Sequence, residues 1–91
     1  MKATLSDYLE SRRFNRKLFG KVKQSIERLE FDATAKISMS AKYQTPIVHV
    51  QGPQSGVAAD EIYSILSEYF QTSDPIFVSE DRTDIEFRDM Y

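Results

Sequence analysis

Four features of this 91-residue chain could do chemistry: a single histidine, a C-terminal run of carboxylates, a glycine-containing loop and a helix studded with cations. His49 is the sole imidazole, and the chain has no cysteine to join it as a thiolate ligand. Pairing it with Glu86 or Asp89 follows no metal-binding spacing. As a general base it needs a carboxylate to orient it, and the sequence points to none. The loop Gln51-Gly-Pro-Gln-Ser-Gly56 stands before a helix N-terminus, where backbone N–H groups can hold an anion. It lacks the lysine and spacing of a P-loop and the glycine pattern of a dinucleotide site, and a turn followed by a cap explains each of its residues. Glu80, Asp81, Asp84, Glu86 and Asp89 fit no EF-hand spacing. Strand alternation spreads them over a hairpin tip and one sheet face, where they could imitate a phosphate backbone. These features name no catalytic residue, no metal site and no cofactor, so the expectation is a protein that is not an enzyme.

The cations are the stronger signal. From Ser11 to Phe31 the apolar residues Phe14, Leu18, Phe19, Val22, Ile26 and Leu29 recur at helical spacing and form one stripe. Arg12, Arg16 and Lys23 border it on one side, Lys17, Lys21 and Arg28 on the other, and Arg13 points away from the core. Glu27 and Glu30 offset this field in part. Such a helix can present a docking surface to an acidic protein or to nucleic acid. It lacks the turn and recognition helix of a helix-turn-helix, and no strand carries an aromatic RNA-binding motif.

The elements that must position these residues follow from periodicity. Thr4 or Ser6 can cap a short N-terminal helix containing Leu5, Tyr8 and Leu9, and the pattern skips at Ser11–Arg13 before the long helix. Gly20 lies inside that helix without breaking its periodicity, which suggests a close approach by a neighbouring element. After Asp32 the residues alternate: Ala33, Ala35, Ile37 and Met39 on one side, Thr34, Lys36, Ser38 and Ser40 on the other, as in a half-buried strand. Pro46–Gln51 reads as a second strand. Ser55 reads as the cap of a helix over Gly56–Gln71. Ile76–Ser79 and Asp84–Asp89 read as two more strands joined by a turn at Glu80–Thr83.

The order αββαββ predicts an α+β two-layer sandwich, with two helices on one face of a four-stranded antiparallel sheet and a short extra N-terminal helix. Moving one edge strand of a ferredoxin-like βαββαβ fold from its start to its end gives the same order, an analogy that carries no function. With one sheet face covered, the other is open. Val48 and Val50 are expected inward, and Lys36, Ile47, His49, Glu86 and Arg88, with Phe77 as a further candidate, are expected on the open face, a second and weaker partner-binding surface. The sheet edges are also free to pair with another chain.

Length and composition bound the rest. Ninety-one residues with eleven aromatics make one domain with a packed core. No apolar run approaches the ~20 residues of a membrane span, and the N-terminus lacks a signal-peptide segment, so a cytoplasmic protein with no membrane partner is expected. The net charge of −2 hides a split. Residues 1–43 carry ten Lys/Arg against five Asp/Glu, and residues 44–91 carry two against nine. The halves can neutralise each other, pair between copies, or present one docking surface. The function expected is that of a small non-catalytic adaptor or inhibitor, of the sort bacteria and their viruses make, working through a protein partner. Nucleic-acid binding through the basic helix comes second, and self-assembly into a homo-oligomer third.

Overall fold

The computed structural model describes residues 1–5, 16–39 and 46–88. It is a small α+β domain with two helices over one face of a mixed, open six-stranded sheet. In chain order the elements are β1 (Lys2–Leu5), α1 (Arg16–Glu27), β2 (Thr34–Met39), β3 (Pro46–Gln51), α2 (Ser55–Ser67), β4 (Gln71–Thr72), β5 (Ile76–Ser79) and β6 (Arg82–Arg88). Across the sheet the order is β1-β2-β3-β6, and β6 receives both β4 and β5 on its outer edge.

The N-terminus departs from the expected layout. Thr4, read from sequence as a helix cap, lies in β1, which pairs in parallel with β2. The four-residue segment alternates exposed Lys2, buried Ala3 and exposed Thr4, and it supplies the backbone partners that β2 would otherwise lack. The sheet is therefore mixed and six-stranded: β2, β3, β6 and β5 lie side by side and antiparallel, as four expected strands, and β1 and β4 add to them what the expected four-stranded layout lacks. Ser6 and the skip at Ser11–Arg13 lie outside the described residues. The ammonium group of Met1 donates to the carbonyls of Glu27 and Leu29, beside the negative end of α1.

The core sits between the helices and one sheet face. Val22 and Ile26 of α1, and Ala58, Ala59, Ile62 and Leu66 of α2, are buried against Ala35, Ile37, Val48, Val50, Ile85 and Phe87. The inward orientation of Val48 and Val50 agrees with the alternation read from sequence. Both helices are shorter than their patterns. α1 closes at Glu27, and Leu29 bonds back to Ile26 in a tighter turn. α2 closes at Ser67 because Glu68 and Tyr69 bond back three residues to Ile65 and Leu66. Phe70 then packs beside Phe87 with ring centroids 4.9 Å apart, and Gln71–Thr72 leaves to join β6 as β4, a strand the loop-like composition of 72–75 concealed.

Ser55 is not the cap of α2. Gln54 occupies that position without a side-chain cap hydrogen bond, and Ser55 is buried as the first helical residue. The side-chain Oε1 of Gln54 accepts instead from the Asp32 backbone N–H at 2.7 Å, and the Gln54 backbone N–H donates to the Asp32 carbonyl at 3.1 Å. Between these segments lies Gly52 at φ 132°, where a Cβ would stand 2.7 Å from the Asp32 carbonyl oxygen and 2.8 Å from Ala33 Cα. Its N–H donates to Asp81 at 2.8 Å, so three loops converge on a position only glycine can hold.

Gly20 is different: a Cβ there would meet nothing within 4 Å, so no close approach explains it. Gly20→Ala is expected to stabilise the domain by about 0.5–1 kcal/mol, as helix propensity alone dictates. Gly52→Ala is expected to destabilise it by about 1–3 kcal/mol or more, from a forced left-handed backbone plus the clash with Asp32. Urea unfolding of the two variants against the parent checks both signs.

Candidate functional site

Strand register brings distant residues together on the open face. Three cross-strand rows run along it: Thr34–Gln51–Arg82–Ser79, then Lys36–His49–Asp84–Ile76, then Ser38–Ile47–Glu86. Directly opposed side chains in an antiparallel pair stand about 5 Å apart, close enough for polar groups to bond across strands and along the diagonals.

His49 is the centre of that network. Its Nδ1 lies 3.0 Å from Asp84 Oδ1, and its Nε2 lies 2.9 Å from Ser38 Oγ. Arg82 grips the same carboxylate with two bonds of 3.1 Å, Nε to Oδ1 and Nη2 to Oδ2. Nη2 of Arg82 also stands 3.1 Å from His49 Nδ1. One ring nitrogen cannot donate to a carboxylate and accept from a guanidinium at once. The carboxylate fixes the proton on Nδ1, so the Arg82–His49 approach is a contact, and Nε2 accepts from the Ser38 hydroxyl. The His49 and Asp84 side chains are about one-fifth exposed, at 22% and 19%. Burial pushes the Asp84 carboxyl up, but the hydrogen bonds from Arg82 and His49, with the charge of Arg82, outweigh it and hold the group below its ordinary range. The same carboxylate raises the Arg82 guanidinium, through the hydrogen bond first and its charge second.

Ser38, His49 and Asp84 thus stand in the order of a nucleophile, a base and an orienting carboxylate. The surface around them is an open sheet face. A cavity of about 400 Å³ lies elsewhere, against Gln71, Thr72, Ser73, Glu86, Phe87 and Arg88, and none of the three lines it. The network does tie β2, β3 and β6 together by side chains as well as backbone. Among the described residues no three His, Asp or Glu side chains gather as a metal-ligand set.

The other sequence-derived candidates separate. Lys36, Ile47, His49 and Glu86 share the open face. Arg88, at the end of β6, donates from Nε to Gln71 Oε1 at 2.9 Å. Phe77, a candidate for that face, opposes the buried Thr83, which puts it on the helix-covered side, and Ile76 takes the position beside Asp84. On α1, Lys21 is exposed, and Lys23 lies 3.8 Å from Glu27 one turn on. Arg28 is exposed just past the helix end. Arg16 and Lys17 stand in the first helical turn, and Arg12 and Arg13 lie outside the described residues.

Among the described residues the exposed large apolar side chains are Val57 at the start of α2, at 55%, and three on β5, the outermost strand. Ile76, Phe77 and Val78 are 54%, 73% and 49% exposed, three consecutive large side chains in solvent. Among the described residues β5 pairs with β6 along one edge only, with its register shifting between Phe77 and Ser79. An outward apolar strand with an unpaired edge is a ready template for another chain. Sequence showed the strand but not its place at the rim. Among the described residues no helix is long and apolar enough to cross a membrane. Compared with known proteins, the chain matches no family model, and no curated protein or solved structure resembles it closely enough to show kinship.

The clamp around Asp84 has a pH signature. A carboxyl whose folded pKa is depressed contributes stability above its unfolded value of 3.8 and loses it as pH falls through the lower folded value. Asp84→Asn is expected to cost about 1–3 kcal/mol at pH 7, because Arg82 and His49 lose their charged partner. It is also expected to flatten the loss of stability below about pH 4. Urea midpoints of parent and variant from pH 7 to pH 2.5 measure both.

Proposed function

We propose that the protein is a small, non-catalytic binding module that engages a protein partner by accepting an extended segment on the outer edge of β5. The observation that carries this reading is the run Ile76-Phe77-Val78, exposed on a strand that, among the described residues, is hydrogen-bonded along one side only. Exposed apolar residues scattered singly need no explanation, but three in succession at a sheet edge make a rim strip that is apolar on both faces of the sheet, Ile76 on the open side and Phe77 on the helix side. Strand addition satisfies the free backbone groups of that edge and covers the strip in one step. The Ser38–His49–Asp84–Arg82 network fits this role as a brace. It pins β6 to β3 and β2, so the edge strand is presented on a stiff sheet.

Basic-helix docking is the second reading, and the two place their energy on different residues. Phe77→Asp is expected to weaken partner binding at least tenfold, about 1.4 kcal/mol, while changing folding stability by no more than about 0.5 kcal/mol. The double variant Lys21→Ala/Arg28→Ala is expected to bind as the parent does. Affinity for a protein partner isolated on the parent protein, measured by calorimetry beside urea unfolding of each variant, decides the matter. Undiminished binding by Phe77→Asp contradicts the edge-strand reading, and loss in the Lys21/Arg28 variant moves the site to the helix.

A further inference from the structure

We infer that the segment accepted by β5 is an extended chain whose short apolar centre is flanked on both sides by cations; the inference rests on the edge-strand reading above. The apolar strip is bracketed by exposed Asp74 on one side and exposed Glu80 and Asp81 on the other. Residues 74–81 contain these three carboxylates and no Lys or Arg. The stretch before them is no different. Residues 44–73 carry Asp60, Glu61 and Glu68, all exposed on or just after α2, and again no cation. α2 packs over β6, β3 and β4, and α1 with its cations packs over β1. Among the described residues, carboxylates therefore predominate at the β5 end of the sheet, where the two cations of β6 are tied up, Arg82 by Asp84 and Arg88 by Gln71, and the cations of the first half gather at the other end.

The strand geometry sets the partner's spacing. Asp74 and Glu80 are six residues apart, about 20 Å along an extended chain at ~3.3 Å per residue. An antiparallel segment laid against β5 thus meets carboxylates opposite positions about six residues apart, with apolar residues between them facing Ile76, Phe77 and Val78. Lys or Arg at those two positions complements the field, and its pairing with exposed carboxylates steers association in a salt-dependent way.

The same charges argue against a second copy as the occupant. Two β5 strands paired antiparallel about their centre oppose Ile76 with Ser79, and the register then sets Asp74 against Asp81 at both ends. Like charges directly opposed destabilise a strand pair. Pairing the acidic edge of one copy with the basic edge of the next is a head-to-tail contact, which gives a ring or an open filament and not a two-fold dimer.

The test uses the full chain and three capped peptides: Lys-Thr-Val-Ile-Val-Thr-Lys, the same sequence with Glu at both ends, and the Lys peptide with proline at its centre. Backbone amide shifts of Ile76–Ser79 report binding. The Lys peptide is expected to bind at least tenfold tighter than the Glu peptide, and the proline peptide to lose that binding. The variant Asp74→Lys/Glu80→Lys/Asp81→Lys is expected to reverse the preference. Equal binding of the Lys and Glu peptides at these amides overturns the charge inference and leaves strand addition standing. Equal binding of the Lys and proline peptides, or no shift at Ile76–Ser79 with any peptide, overturns strand addition as well. A concentration-dependent dimer that Phe77→Asp abolishes, seen by sedimentation without peptide, overturns the unlike-partner inference in favour of a second copy.

Discussion

β6 is the strand on which the rest of the domain depends. Its alternation sends Thr83, Ile85 and Phe87 into the core and Arg82, Asp84 and Glu86 to the open face. One edge pairs with β3 and the other with β4 and β5. A single strand thus anchors the core beneath α2, completes the polar network around His49 and supports the exposed edge. Because side-chain orientation has a period of two, a one-residue slip of β6 would drive Arg82, Asp84 and Glu86 into the apolar layer. The burial of Phe87 and Ile85 makes that register costly to lose, and the bonds from Arg82 and His49 to Asp84 reinforce it from the other face.

The path along the outer edge of β6 shows how the rim is made. Gln71 and Thr72 pair with Arg88 and Phe87, Ser73 donates to the Glu86 carbonyl at 2.8 Å, and Ile76–Ser79 resumes beside Asp84 to Arg82. Pro75, which has no N–H to give, stands at the interruption. The turn at Glu80–Asp81 returns the chain, with Ser79 Oγ donating to Asp81 Oδ1 at 2.8 Å. Neither helix reaches far enough to cover β5, so its apolar residues remain in solvent. Natural sheets often blunt such an edge with lysine, proline or a bulge. Here the edge carries a register shift and flanking carboxylates, which disfavour self-pairing while leaving the strip open to an unlike chain.

Much of the scaffold was legible in the sequence, for physical reasons tied to particular residues. The alternation of Thr34–Met39 and Pro46–Gln51, with Val48 and Val50 inward, follows from period-two patterning, and Val22 and Ile26 from the helical stripe. The open face holding Lys36, Ile47, His49 and Glu86 followed from covering only one side of the sheet. Short elements were illegible: Lys2–Leu5 and Gln71–Thr72 are too brief to show periodicity, and tertiary pairing alone makes them strands. The site was half visible. His49 stood out by type, but its pairing with Asp84 is a matter of register between strands 35 residues apart. The exposure of Ile76–Val78 depends on which strand lies at the rim, and alternation within one strand does not encode that.

The central claim is that the outer edge of β5 is free in the isolated protein and is filled by another chain. Residue-resolved amide hydrogen exchange tests it most directly, on the free protein and then with a bound strand-forming segment. The account predicts protection in the free protein for the Ile76–Ser79 amides that bond β6, rapid exchange for those pointing outward, and new protection of the outward set on binding. Uniform protection of the whole strand before any partner is added would contradict it, since the edge would then already be covered.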